Sequence, residues 1–239
     1  MTTSKIQATP GAKMVYLIKR KPTTTREELI AHWFANHMAG VIEKNSQKRT
    51  TGEPHATHYT TTLFDPEPGK QHDWDGMAHL WYAEPLPRPA QASAVTPYDT
   101  FQEKVEPYWP WATREYIVLD GALPLNAPFP CTRSGFFKVT FLVAMKQGAD
   151  RNALFTHWLD LHVPNVRQTM EAVGGFRYAV SHSLEPETEP YAGVAELYFQ
   201  DVSGWAAYRE RIRPDGMAEW VDYDAMQIFC SGTEMVGIE

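Results

Sequence analysis

Apolar and polar positions recur in the same order twice along the chain, and both series predict the same elements. Each series opens with an apolar, β-branched run typical of a strand, over Met14–Lys19 and Val139–Met145. A polar turn follows, in which Thr25 and Asp150 suit the N-cap position of a helix. Apolar side chains and a histidine at i, i+4 and i+8 then indicate the helix. These positions are Leu29, Trp33 and His37 in the first series and Leu154, Trp158 and His162 in the second.

The two series match residue by residue, which indicates an internal duplication. Matching positions from Lys13 to His37 recur 125 residues later without a gap. The segment Asp75–Tyr82 aligns with Ala192–Phe199 at a shift of 117. The runs that begin at Glu115 and Glu234 are expected to close the two copies. We therefore expect copies over residues 13–120 and 135–239, joined by a Pro-rich linker over 121–134.

Each copy is predicted to have the order β-α-β-β-α-β, with helices on one face of an antiparallel sheet. Pro164 is expected to end the first helix of copy two. The second helices are expected to include Tyr98–Glu106 and Trp205–Arg211. The other face of each sheet has no cover within its own copy. The predicted fold is therefore α+β, two ferredoxin-like repeats whose sheets face each other as an intramolecular barrel with a side-chain-lined interior.

Strand alternation assigns side chains to the two faces of each sheet. On the strand after Gly76, the uniformly apolar face suits packing against helices. The mixed face is predicted to line the barrel, with Met77, His79 and Trp81 in copy one and Val194, Glu196 and Tyr198 in copy two. Each opening strand is expected to direct three side chains into the same interior. They are Met14, Tyr16 and Ile18 in copy one and Val139, Phe141 and Val143 in copy two.

Two pairs of equivalent positions carry candidate chemistry. His79 and Glu196 could serve as proton donor and acceptor, because an apolar cavity moves the pKa values of both residue types toward neutrality. The alternative is that Glu196 bonds an arginine or tyrosine and that His79 is a satisfied core histidine. His37 and His162 are expected at a helix C-terminal end. There they could cap carbonyls, or act as acid, base or positioning group at a barrel mouth.

Composition narrows the class of protein. The 239 residues are 43% apolar and 21% charged, which is ordinary for a packed domain. A net charge of −7 argues against a nucleic-acid partner. The chain shows no signal peptide and no apolar run long enough to span a membrane. Its two cysteines are too few for a disulfide framework. These features predict a reduced, cytoplasmic protein.

The nine histidines show no metal-binding spacing, and neither a dinucleotide-binding nor a phosphate-binding glycine motif is present. We therefore predict no metal and no cofactor. Eight Trp, eleven Tyr and eleven Phe are enough to line a sizeable apolar cavity.

The run from Val15 to Pro22, followed by Glu28 and by His32, Trp33 and His37, resembles the opening motif of the EthD family. Copy two repeats this motif between Phe141 and Pro164, so the resemblance covers Lys13 to Ile238 as two tandem copies. It implies the fold of the dimeric α+β barrels, which are usually assembled from two chains. Fusion in one chain leaves the two half-sites free to diverge.

The resemblance is poorly specific for reaction. Similar proteins include dehydratases of fungal polyketide pathways, muconolactone isomerases and cyclases of the olivetolic-acid type. In such cyclases a histidine on the strand after a G-x-x motif faces the lumen, and His79 is placed similarly. Others of the superfold bind haem through a histidine or oxidise quinols without a cofactor.

The leading hypothesis is a cofactor-independent lyase or isomerase acting on a small aromatic or cyclic carbonyl compound. Glu196 would be the base, His79 the acid or its orienter, and Tyr16 the donor to an enolate oxygen. The ring would be held by aromatic stacking, and His37 or His162 would be the reserve acid or base. The substrate-binding candidates are Trp81, Tyr198, Phe141 and Met77.

Two alternatives stay open. One is a haem- or oxygen-dependent oxidoreductase of the same superfold. The other is a non-catalytic small-molecule carrier, which predicts that the interior carboxylates are neutralised by salt bridges. In every case the expected partner is a small molecule rather than a nucleic acid or a membrane, and a homodimer is left open.

Overall fold

A computed structural model describes residues 6–67, 73–93, 99–128 and 130–239. It confirms an α+β fold built on antiparallel strands. The strands are β1 (Ala12–Ile18), β2 (His58–Leu63), β3 (Gly76–Tyr82), β4 (Trp111–Asp120), β5 (Cys131–Val143), β6 (Arg177–Ser183), β7 (Gly193–Phe199) and β8 (Gln227–Ile238). The helices are α1 (Arg26–His32), α2 (Met38–Thr51), α3 (Arg151–His157), α4 (Val163–Ala172) and α5 (Val202–Arg211).

The chain divides into two compact units. The first unit comprises Gly11–Ala112, Leu125–Ser134 and Thr233–Glu239. The second comprises Thr113–Pro124, Gly135–Gly232 and the described residues before Gly11. In the first unit the strand order is β1-β3-β2 followed by the end of β8, and in the second it is β5-β7-β6-β4. The facing of the two sheets as a barrel stays a prediction.

Strand β5 already begins at Cys131, within the segment predicted as a linker. Helix α5 includes the predicted Trp205–Arg211. In the first unit the corresponding described segment is a short 3-10 turn over Thr100–Glu103, and Tyr98 lies outside the described residues. In the described part of the chain, every helix is too short or too polar to cross a lipid bilayer.

Both predicted N-caps are confirmed. The Thr25 hydroxyl accepts a hydrogen bond from the Glu28 N–H at 3.1 Å, and the Glu28 carboxylate accepts one from the Thr25 N–H at 2.8 Å. This reciprocal capping box satisfies two backbone donors at the start of α1. Asp150 caps α3 by accepting from the N–H groups of Asn152 and Ala153 at 2.8 and 3.1 Å.

A π-helical turn joins α1 to α2 over Trp33–His37, and another joins α3 to α4 over Trp158–His162. The Trp33 carbonyl accepts from the Met38 N–H five residues on, and the Trp158 carbonyl accepts from the Val163 N–H. The histidines therefore lie within a continuing helix, and their placement at a helix C-terminal end was wrong.

The prediction that Pro164 ends the helix was also wrong. Pro164 lies in the first turn of α4, directly after the π-helical turn. At this point the backbone hydrogen bonds change from an i+4 to an i+5 spacing. The helix can therefore continue through a residue that has no N–H to donate.

Strands β3 and β7 both begin with a glycine that touches a buried tryptophan. A Cβ on Gly76 would lie 2.6 Å from the Thr62 carbonyl oxygen and 3.1 Å from the Trp33 ring. A Cβ on Gly193 would lie equally close to its neighbouring strand and to the Trp158 ring. Only glycine therefore lets the indole pack directly on the sheet.

Candidate functional site

The strand register decides which side chains share a face of the first unit's sheet. Directly opposite residues of an antiparallel pair lie on the same face. Tyr16 pairs with Ala78, whereas His79 pairs with Val15. The prediction that Tyr16 shares a face with His79 was therefore wrong. Strand β1 is buried on both faces, so its pattern does not reveal which side chains face the helices.

His79, Trp81 and Met77 lie together on the face that is turned away from α1 and α2. His79 is 2% exposed, and its ring contacts that of Trp81 edge-on at 5.7 Å between centroids. The ammonium group of Lys13, which pairs with Trp81 across the strands, lies 5.2 Å from the Trp81 ring. Trp81 thus packs against a buried cation. The substrate-binding roles of Trp81 and Met77 stay predictions.

Glu196 and Tyr198 occupy the corresponding face of the second unit's sheet. The Lys138 Nζ lies 2.6 Å from Glu196 Oε1, and both side chains are almost fully buried. The same ammonium lies 5.1 Å from the Tyr198 ring. Phe141 pairs with Ala195 and so lies on the other face, which corrects its predicted placement beside Tyr198. The ion pair favours the structural role of Glu196 over the role of base.

A cavity of about 250 Å³ lies between the sheet and the helices of the first unit. Its floor is formed by Tyr16, Ala78 and Leu80, and its helical wall by Trp33, His37 and Val41. Polar side chains complete the lining, among them Tyr59, Tyr82, Tyr108, Ser93, Asn45, Lys44 and Lys48. Two of the predicted catalytic residues, Tyr16 and His37, therefore line one cavity.

His37 is held by an aspartate that follows it by 62 residues. Its Nδ1 lies 2.7 Å from Asp99 Oδ2, and its ring stacks on Phe101 at 4.0 Å between centroids. The other oxygen of Asp99 accepts a hydrogen bond from the Phe101 N–H at 2.7 Å. Burial lowers the pKa of His37, while the Asp99 carboxylate opposes this shift. The imidazole is therefore neutral at neutral pH and fixed in orientation.

Four tyrosines line the same cavity, and two of them, Tyr16 and Tyr108, are in contact. The rings of Tyr16 and Tyr108 meet edge-on, 6.1 Å between centroids. Burial raises the pKa of Tyr16 and of Tyr108 well above the usual range for a phenol. Both hydroxyls thus stay protonated and can donate hydrogen bonds at every pH at which the protein would work.

The second unit has a cavity of about 310 Å³ at the equivalent place. Five of its lining residues correspond to lining residues of the first cavity at a shift of 125 residues: Phe141, Val143, Trp158, His162 and Val166. The His162 Nδ1 lies 2.8 Å from Asp215 Oδ2, and Asn165 donates to the same oxygen at 2.7 Å. Burial lowers the pKa of His162, against the influence of Asp215. Each cavity therefore has its own histidine–aspartate pair.

The sequence analysis missed both aspartates, although a signal was available. Asp99 and Asp215 stand 116 residues apart, each two residues before an apolar side chain of a 3-10 turn, Phe101 and Met217. Extending the repeat comparison to this short segment would have found them.

Within the described ranges, no three His, Cys, Asp or Glu side chains form a group suited to a metal ion.

Comparisons with known proteins agree with this fold. Residues 146–224, which include His162 and Asp215, match the family model of the EthD domain. The structure of an anthrone oxidase-like protein superposes with a TM-score of 0.52 at 11% identity, covering 95% of this chain and 94% of the other. A candidate monooxygenase from Fusobacterium nucleatum gives a TM-score of 0.50 at 8% identity, with 94% and 93% covered. At these identities the likeness concerns the fold. No curated protein matches the sequence significantly.

Proposed function

We propose that this protein is an oxygen-dependent oxidoreductase that oxidises an activated methylene group of a small aromatic carbonyl compound in the first unit's cavity. The observation that carries the proposal is that His37, held by Asp99, lines the same cavity as the Tyr16 and Tyr108 phenols. A base and a hydrogen-bond donor on either side of one substrate are the minimum for forming an enolate.

His37 is the base of this proposal. Asp99 accepts a hydrogen bond from the Nδ1–H group, so that the lone pair is on Nε2. Because its pKa is lowered, His37 is unprotonated at neutral pH and ready to take a proton. Asp99 then stabilises the imidazolium that forms, as the carboxylate of a catalytic triad does.

Tyr16 and Tyr108 are the donors. Removing a proton next to a carbonyl group moves negative charge onto the carbonyl oxygen. Neutral phenols that are already in place stabilise this charge without reorganisation. The enolate is an electron-rich carbon nucleophile, and the names of the two structural neighbours, an oxidase-like protein and a candidate monooxygenase, suggest molecular oxygen as its oxidant.

The overall reaction balances as R₂CH₂ + O₂ → R₂C=O + H₂O. The methylene carbon loses two hydrogens and four electrons. One oxygen atom forms the new carbonyl group, and the other leaves as water with both hydrogens. His37 carries the first of these protons away from the carbon.

A haem fits neither cavity. Pockets for drug-sized ligands hold about 300–1,000 Å³, and a haem is larger than most such ligands. The cavities measure about 250 and 310 Å³, so each suits a molecule of two or three rings. The histidine–aspartate pairs resemble the arrangement of a metal-bound histidine, but no space for the macrocycle accompanies them. We derive no step through haem.

We also propose that the two units descend from duplication of one EthD-like repeat. Equivalent cavity residues at a constant shift, a π-helical turn at the same place and a histidine–aspartate pair in each unit support this inference.

Oxygen consumption tests the proposed function. Purified protein would be given anthrone and a panel of related aryl ketones with an activated methylene group, in air and under nitrogen. The proposal expects one O₂ consumed per ketone formed, a Tyr16→Phe variant slowed at least tenfold, and His55→Gln, a half-buried histidine outside the cavity lining, unchanged. Product formation at the same rate under nitrogen would instead establish the lyase or isomerase, and no turnover of any panel member would refute both.

A further inference from the structure

We infer that the second unit's cavity is a separate binding site for an uncharged aromatic ketone of two or three rings. This inference rests on the lining of that cavity and does not depend on the proposed oxidation. The cavity lies entirely within residues 141–226 and shares no lining residue with the first cavity.

The lining of this cavity selects for apolar aromatic surface. Phe141 stands where the first cavity has Tyr16, and Met217 stands where Phe101 lies. Trp205 and Tyr208 stack on one another at 5.5 Å between centroids and form part of the wall. Aromatic rings and flexible methionines together accommodate flat ligands of varied outline. The lysines, asparagine and serine of the first cavity have no counterpart in this lining.

One buried hydroxyl supplies the polar contact that a ketone needs. Tyr178 is fully buried and lines the cavity, and its hydroxyl, which lies beside the Trp158 indole, donates to no acceptor among the described residues. Burial raises the pKa of Tyr178, so this hydroxyl is a permanent donor. A buried donor without an acceptor is costly, and a ligand carbonyl would satisfy it.

Two further groups in the lining, His162 and Arg209, bear on the charge of the ligand. His162 is neutral at neutral pH, since burial lowers its pKa, so it offers no fixed charge to an anion. Arg209 is exposed, and its guanidinium group lies 5.8 Å from the Trp205 ring. An anionic ligand held by Arg209 is therefore the rival outcome.

Photolabelling with benzophenone tests the inference. This uncharged diaryl ketone inserts into nearby C–H bonds on irradiation, and Met217 and Met226 offer reactive side chains in the lining. Ala195→Leu would fill the second cavity, and Ala78→Leu would fill the first at the equivalent position. We expect label on the peptides that contain Met217 or Met226, at least a tenfold loss in A195L, and less than a twofold change in A78L.

A second measurement keeps the test independent of how A195L folds. Tryptophan fluorescence would give the benzophenone dissociation constant for the wild type and for Tyr178→Phe, which is expected to bind about tenfold more weakly because one hydrogen bond is lost. The charged analogue 4-benzoylbenzoate is expected to bind less tightly than benzophenone. Label confined to first-unit peptides, unchanged affinity in Y178F, or tighter binding of the carboxylate would each overturn the inference.

Discussion

At the scale of single residues, the buried polar pairs of the second unit divide between the two faces of its sheet. His37 with Asp99 and His162 with Asp215 lie on the cavity side. Lys138 with Glu196 lies on the opposite face. The residue types that suit catalysis therefore occur on both faces, and the two cavities described above lie on the side of the histidine–aspartate pairs.

Asp99→Asn tests the role of the aspartate. The amide can donate a hydrogen bond to Nδ1, which would place the His37 proton on Nε2 and remove the base. By analogy with triad aspartates, we expect kcat to fall by about 10²-fold or more without loss of the fold. Steady-state kinetics on whichever ketone is turned over would measure this. Asp215→Asn is the matched variant, and an equal loss in both variants would contradict the assignment to the first cavity.

Lys138→Met tests whether Glu196 is held by its ion pair. Removing one partner of a buried ion pair costs about 3–5 kcal/mol. The double variant Lys138→Met/Glu196→Leu removes both charges and should recover most of that loss. Urea unfolding of the wild type and of both variants would measure their free energies of unfolding. A single variant as stable as the wild type would show that the pair is not needed.

His182 makes stability depend on pH. Burial lowers its pKa from the ordinary value of 6.5 to about 3. As pH falls below 6.5, the unfolded chain takes up a proton that the folded protein does not, so stability is lost. The loss is about 1.4 kcal/mol per pH unit, or about 2 kcal/mol between pH 6.5 and 5.

Urea unfolding at pH 7 and pH 5 would reveal this contribution. In His182→Gln the decrease between the two pH values should be smaller by about that amount, whereas His55→Gln should behave like the wild type. An identical decrease in wild type and H182Q would show that His182 does not stay neutral in the folded protein.

At the scale of elements, the π-helical turn is what brings the tryptophan and the histidine to one cavity. Such turns carry one extra residue within an α-helix and are frequent at functional sites. Both units have the turn at the same position, before α2 and before α4. The helix is therefore widened at the point where its side chains meet the ligand space.

Deleting Ala35, an exposed residue of the first turn, should restore regular α-helix and rotate the preceding residues by about 100° relative to α2. We expect a loss of turnover of at least tenfold, with the helical circular dichroism retained. Deleting Asp160, the equivalent exposed residue of the second unit, provides the matched comparison. Full activity after loss of Ala35 would show that the turn does not position His37.

At the scale of the whole molecule, much of the fold could be predicted from the sequence because its signals are local. The opening strands, the N-caps at Thr25 and Asp150 and the helix α5 each depend on neighbouring residues. The face of Tyr16 could not be predicted, because β1 is buried on both sides and gives no alternation to read.

The candidate site was only partly predictable, because its residues come from distant parts of the chain. His37 and Tyr16 were found by their residue types, but Asp99 is brought to His37 by tertiary packing across 62 residues. Two equivalent cavities with different linings, one rich in phenols and one largely apolar, suggest that the two units have diverged in use.

The central claim is that turnover depends on the His37–Asp99 pair in the first cavity. The most direct test compares oxygen consumption by the wild type, His37→Gln and His162→Gln with the same aryl ketone. We expect a loss of at least a hundredfold in H37Q and less than tenfold in H162Q. Wild-type rates in H37Q, or a greater loss in H162Q than in H37Q, would contradict it.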